Sequence, residues 1–258
     1  MKRISLALLA AVLPALSAAP HAATLGVSMA LFDDNFLTAV RASMKERAQQ
    51  LNVPIQFEDA QNDIGRQLPP RVSFVGSGEA QSGTLQMAEV CRLLQGKGEI
   101  VILIGELTNQ AARQRTQDIY DVIARPQCRG IRVLEKQTAN WKRTEAADLM
   151  TNWLSAGLRP QAVVANDDEM AIGAIQALKQ AKLLSRTIVA GIDATPDGLA
   201  AMKAGDLKVT VFQNAPAQGT GAVDTALKLV RGESVASFVW VPFELVTPEN
   251  LSNYLGRH

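Results

Sequence analysis

Four polar side chains stand where short β-rich runs give way to amphipathic stretches: Asp34 after the first run, Asp167 after AVVAN, Asp193 after TIVAGI and Gln213 after VTVF. In an open parallel sheet the ligand crevice lies beyond the carboxyl ends of the strands, so four such ends converge on one place. An aspartate before a helix also serves simply as an N-cap. Four together point to a polar cleft that holds a ligand through hydrogen bonds. Bond-making chemistry has little to work with. The two histidines, His21 and His258, lie near the ends of the chain, and no H-E-x-x-H, C-x-x-C or G-x-S-x-G occurs. The segment GSGEAQSG, Gly76 to Gly83, has the spacing of neither a dinucleotide fingerprint nor a phosphate-binding P-loop.

The elements that must position these side chains alternate between strand and helix, the pattern of βα units around parallel sheets. Strands are expected at 24–30, 54–59, 72–77, 100–105, 131–137, 162–166, 187–193, 208–213 and 239–246. The first helix shows its apolar face plainly, with Phe36, Val40, Met44 and Ala48 recurring every four residues. Further helices are expected at 82–94, 109–124, 143–156, 169–181, 196–204 and 217–231. The fold class is α/β.

The chain has 258 residues, 47% hydrophobic and 20% charged, with a net charge of +1. It can therefore bury a substantial core, and it has no positive field to attract a nucleic acid. Lys2 and Arg3 precede an apolar stretch over 4–16 and small residues over 17–23, the layout of a signal peptide occupying residues 1–23. Pro14 and Pro20 argue against the alternative, a buried first helix. Export with an even cysteine count permits a disulfide between Cys91 and Cys128, two separate buried thiols being the alternative. Their spacing fits no zinc site.

The segments GVSMALFDDNF, ANDDEMAIGAIQALKQA, GIDATPDGLAAMKAGDLKVTVFQNAPAQG and FELVTPENL resemble periplasmic sugar-binding proteins of ABC transporters, ribose-binding-like. FDDNF, NQAARQRTQD, QTANWKRTEAADLMTNWLSAG and LVTPEN look more like the inositol- and rhizopine-binding members. The resemblance implies two Rossmann-like lobes of the type I periplasmic binding protein, closing on a monosaccharide or cyclitol. It implies a monomeric, periplasmic, non-enzymatic protein without cofactor or metal, whose partners are an ABC transporter permease and, further, a chemoreceptor. Position by position it places Asp34 and Phe36 at one edge of the cleft and adds Arg115, from AARQRTQD, as a donor to ligand hydroxyls. Trp141, from TANWKR, covers a ligand face, and Asp167, Asp193 and Gln213 complete the polar contacts. A polyol offers apolar C–H faces to aromatics and hydroxyls to planar polar groups. Core packing is the alternative reading for Phe36 and Trp141, and a surface charge for Arg115.

Three departures stand out. Asp167 replaces the asparagine usual in that family, exchanging a group that donates and accepts for one that, ionised, only accepts. Gly78 stands where an acid or amide usually follows the strand. Between Gln67 and Leu68 about two βα units are absent, some ~45 residues. The lobes are then expected at 24–77 plus 214–235, truncated, and at 79–212 plus 236–258. A shortened lobe leaves open two alternatives, a deletion product that binds nothing and a sugar-responsive regulator or sensor of the same fold. The regulator would need a helix-turn-helix where the export signal stands. Mass spectrometry of exported protein should find a chain beginning at or near residue 24; an intact Met1 in that fraction would contradict the signal peptide.

Overall fold

The computed structural model describes residues 24–61 and 73–257. The expected signal peptide, the Gln67–Leu68 junction and both histidines lie outside the described residues. The chain opens with β1 (Leu25–Met29), α1 (Asn35–Gln50), β2 (Ile55–Asp59) and β3 (Phe74–Gly76). It continues through α2 (Ser82–Leu93), β4 (Lys97–Ile104), α3 (Gln110–Ile123), β5 (Gly130–Thr138), α4 (Arg143–Ser155) and β6 (Ala162–Ala165). Then come α5 (Asp168–Gln180), β7 (Ile188–Ala190), α6 (Pro196–Lys203), β8 (Thr210–Phe212), α7 (Ala215–Val230), β9 (Phe238–Trp240) and β10 (Glu244–Val246).

The larger lobe is built on the parallel sheet β5-β4-β6-β7. Parallel bridges Ala190–Val209 and Asp193–Phe212 carry it on to β8, and β10 pairs antiparallel with β8, giving six strands in all. Central strands of such a sheet are covered on both faces and so read as unbroken apolar runs, as Ile100–Ile104 and Ala162–Ala165 do. Alternate residues serve opposite layers. Val101, Leu103, Val163 and Ala165 face the core that holds Met150, Met170 and Leu178, from α4 and α5. Ile100, Ile102, Ala162 and Val164 face the core that holds Met87, Val90 and Ile119, from α2 and α3.

The smaller lobe is thin. Its described strands form two separate parallel pairs, β1-β2 and β3-β9, beside the packed helices α1 and α7. Arg47 clasps Asp224 between those helices, with Nε 2.7 Å and Nη2 3.1 Å from the two carboxylate oxygens. Val75 of β3 lies beneath α7 at Gly221. The opposite face of the β3-β9 pair carries Phe74, Phe238 and Trp240, the last two stacked at 5.2 Å and each 58% exposed. A parallel sheet is ordinarily covered on both faces, whereas this aromatic face is largely exposed.

Two expectations need correction. The single strand expected at 239–246 is two strands in different sheets, because Pro242 between them lacks an N–H and cannot continue a ladder. In consequence residues 236–258 do not all go with the larger lobe: Phe238–Trp240 pair with β3 of the smaller one. The chain thus passes between lobes after β3, before α7 and after β9, and Gln218 Nε2 donates to Ser77 Oγ at 2.9 Å between two of these crossings.

Cys91 and Cys128 are joined in a disulfide with Cα atoms 5.8 Å apart. Cys91 is on α2, and Cys128 sits in the turn between α3 and β5. The bond ties the amino-terminal end of the sheet, opposite the strand ends that bear the polar residues. Replacing both cysteines by serine should lower stability by about 2–4 kcal/mol in denaturant unfolding, and leave ligand affinity unchanged.

Candidate functional site

Each of the four polar residues expected at strand ends sits where a strand hands over to a helix. Asp34 caps α1, its Oδ1 accepting from Leu37 N at 2.7 Å, and Asp167 caps α5, accepting from Met170 N at 2.8 Å. Asp193 follows β7 and Gln213 follows β8, both nearly buried. Phe36 is in the first turn of α1. Trp141 is held in the β5–α4 loop with φ +64°, and its indole lies so close to Gly105 that a Cβ there would come within 2.2 Å of the ring. Residue 105 must therefore be glycine for Trp141 to occupy this place.

Arg115, on α3, is not a surface charge: it is 4% exposed. Its Nη1 donates to the Asn166 carbonyl at 2.8 Å, Nη2 to Gln213 Oε1 at 3.0 Å and Nε to Glu79 Oε2 at 3.2 Å. Nη1 also lies 3.5 Å from Asp193 Oδ1. The guanidinium carbon is 5.8 Å from the Trp141 ring centroid and 6.0 Å from that of Phe243. Burial works against its charge, and the carboxylates of Glu79, Asp193 and Asp167 outweigh that and hold it protonated.

All seven sequence-predicted residues line one cavity of about 190 Å³ between the lobes: Asp34, Phe36, Arg115, Trp141, Asp167, Asp193 and Gln213. Asp34 and Phe36 come from the smaller lobe and the other five from the larger. Glu79 and Asn109 line it too and were missed. Glu79 sits one residue beyond Gly78, whose lack of a side chain had been noted, and a short 3-10 turn over Glu79–Gln81 places its carboxylate on Arg115. Asn109 was hidden in its role as N-cap of α3. At the mouth, Asn35 Nδ2 donates to Glu169 Oε1 at 2.7 Å, a bond from one lobe to the other.

Among the described residues the lining carries four carboxyl groups, Asp34, Glu79, Asp167 and Asp193, against one cation, Arg115. Burial is the main cause that raises the pKa of Asp34 above the ordinary carboxyl value, and those of Asp167 and Asp193 well above it. Mutual repulsion adds to this, while Arg115 opposes it. Beneath them Asp168, fully buried, is pushed up to about 7. Among the described residues no group of three or more His, Cys, Asp or Glu is arranged to hold a metal ion. The arrangement can donate and accept hydrogen bonds around a small polar ligand and press an aromatic face against it.

Residues 68–234 match the family described as the periplasmic binding protein domain. The chain belongs to that family. A Rhizobium meliloti protein named for rhizopine binding is 46% identical to it over 311 aligned positions, which take in all of both chains. The ribose import binding protein of Escherichia coli (strain K12) is 31% identical over 224 residues, 87% of this chain and 73% of that one. The structure of an ABC transporter solute binding protein from Bacillus halodurans C-125 with bound myo-inositol superimposes with a TM-score of 0.86. That protein is 37% identical, and the match covers 92% of this chain and 98% of that chain. The fold is thus that of the type I periplasmic binding proteins. Against 311 aligned positions this chain supplies 258 residues, so 53 positions are without a counterpart here. The shortfall agrees with the expected deletion and leaves the first lobe incomplete, and the family match itself begins at Leu68.

The raised carboxyl groups set the pH dependence of folding. Well below about pH 4 they are protonated whether the chain is folded or not. Between there and about 7 for Asp168, the folded protein keeps protons that the unfolded chain has released. Stability therefore falls as pH rises through this window. Glu145, Glu244 and Glu249, which are held low by hydrogen bonds, make their opposite contribution at pH values below it. Denaturant unfolding of ligand-free protein should give a free energy that declines from pH 4.5 to 7.5; a rise would contradict this electrostatic description.

Proposed function

We propose that the protein is the periplasmic solute-binding component of an ABC transporter, holding a sugar or cyclitol of the inositol type in the cavity between its lobes. The observation that carries this reading is the cavity lining itself, in which strand-end carboxyls, the Gln213 amide and the Arg115 guanidinium surround a space flanked by Phe36 and Trp141. Hydroxyls of a ring polyol suit the first set and its C–H face suits the aromatics. The relatives named for rhizopine and ribose, and the neighbour holding myo-inositol, support the same class. A permease is the partner this function requires, and the amino-terminal 23 residues would direct export.

The acid excess refines the ligand. Among the described residues four lining carboxyl groups share one guanidinium, and Asp167 stands where the resemblance leads one to expect an asparagine. A ligand bearing a cationic amine beside its hydroxyls would relieve the repulsion that now lifts these groups. An amino-substituted inositol should accordingly bind more tightly than myo-inositol, and more so at pH 7.5 than at pH 5.

Among the described residues the smaller lobe lends one polar side chain to the lining, Asp34. A two-lobed trap gains affinity from both lobes. By the resemblance, the absent stretch would have added an acid and an arginine, and two charge-assisted hydrogen bonds amount to about 3–6 kcal/mol. Binding should therefore be near millimolar where an intact relative reaches micromolar, each 1.4 kcal/mol being tenfold. Titration of mature protein with ribose, myo-inositol and an amino-inositol, followed by Trp141 fluorescence and NMR, tests this. Trp141→Ala should weaken binding by about 1–3 kcal/mol through lost apolar cover. Submicromolar binding would show the absent stretch to be dispensable, and no binding by any of the three would favour a non-binding deletion product.

A further inference from the structure

Asp193 carries a backbone φ of +108° and the next residue, Ala194, +52°. Side-chain-bearing residues persist in this region only where their surroundings over-determine them. The surroundings converge on one carboxylate that takes no part in lining the cavity. Asp168, the first residue of α5, is fully buried. Its Oδ2 accepts from Thr195 N at 2.8 Å and from Thr195 Oγ1 at 3.3 Å, and its Oδ1 accepts from Thr210 Oγ1 at 2.7 Å. The two hydroxyls pass the constraint on. Thr210 Oγ1 accepts from Ala194 N at 3.1 Å, and Thr195 Oγ1 accepts from Gly198 N at 3.1 Å. The loop is wrapped directly against this group: a Cβ at Gly191 would lie 2.3 Å from Oδ1, and one at Gly198 2.1 Å from Oδ2. On the other side, Asp193 N donates to Val211 O at 2.8 Å.

We propose that Asp168 is a positioning residue for ligand binding: through Thr195 and Thr210 it fixes the turn at Asp193–Ala194 and so aims the Asp193 carboxylate at Arg115 and the cavity. The inference rests on the reading of that cavity as the ligand site. It assigns an affinity role to a residue that never meets the ligand.

A double-mutant cycle separates this from a merely structural role. Asp168→Asn keeps the shape but turns one acceptor into a donor that faces donors. Asp193→Asn removes the charge being aimed. The probe is myo-inositol or its monoamino analogue, whichever the unmodified protein binds more tightly, in NMR shift titrations that read millimolar constants. Asp168→Asn should weaken binding about fivefold and Asp193→Asn about tenfold, and the double variant should be no weaker than Asp193→Asn, since residues acting through one contact are not additive. Thermal melting checks that each variant is folded; where Asp168→Asn is not, Thr210→Val, equal in shape, takes its place in the same cycle with the same expected pattern. Losses that multiply to about fiftyfold, as independent sites would give, or undiminished affinity in a folded variant, overturn the proposal alone. Absence of binding to either probe by the unmodified protein overturns the functional reading and the proposal together.

Discussion

A buried guanidinium among carboxylates is the constraint on which the rest of the structure depends. Strand ends in this fold converge, and here the convergent residues are acids that could not crowd together without a cation between them. Arg115 supplies it, with donors spread over Glu79, the Asn166 carbonyl and Gln213, and with Asp193 at salt-bridge distance. Removing one partner of such a cluster leaves an uncompensated buried charge, which is why it must be assembled whole. The packing is arranged to allow this. Helix α2 approaches α3 so closely that a Cβ at Gly83 would come within 2.5 Å of the Arg115 carbonyl oxygen.

The lobes are unequal. Six strands, two apolar layers and a disulfide give the larger lobe a scaffold that fixes five of the seven site residues predicted from sequence. The smaller lobe offers two strand pairs, the α1–α7 packing and an exposed aromatic face. Its described residues contribute to the cavity one carboxyl group, one aromatic ring and a few apolar contacts. In the proposed function the larger half supplies most of the polar grip, and Asn35 and Glu169 form a bond across the mouth.

Much of this was legible in the sequence because period and punctuation agreed. Apolar runs such as EIVILI and AVVA mark central parallel strands, and the four-residue recurrence from Phe36 to Ala48 marks α1. Asp34 and Asp167 were visible as caps, and the same position puts them at the cleft. Pro242 was in plain view as a break within 239–246 and went unread, so two strands of different sheets were merged. Other features had no local signal. Only the resemblance placed the arginine of AARQRTQD in the site, since its helix gives no local sign of burial, which comes from elements distant in sequence. The positive φ of Trp141 and Asp193 depends on loops held from outside, and Glu79 was obscured by a glycine-rich context weighed only for phosphate binding.

Replacement of Arg115 by methionine, similar in length but without charge, tests the central role of this residue most directly. In denaturant unfolding across pH 4.5–8, the variant should lose about 3–5 kcal/mol relative to the unmodified protein near neutral pH, as breaking a buried ion cluster does. The deficit should shrink towards pH 4.5 as Asp34, Asp167 and Asp193 take up protons. Equal stability of the two proteins at every pH, or a deficit that does not change with pH, would contradict a site held together by this guanidinium.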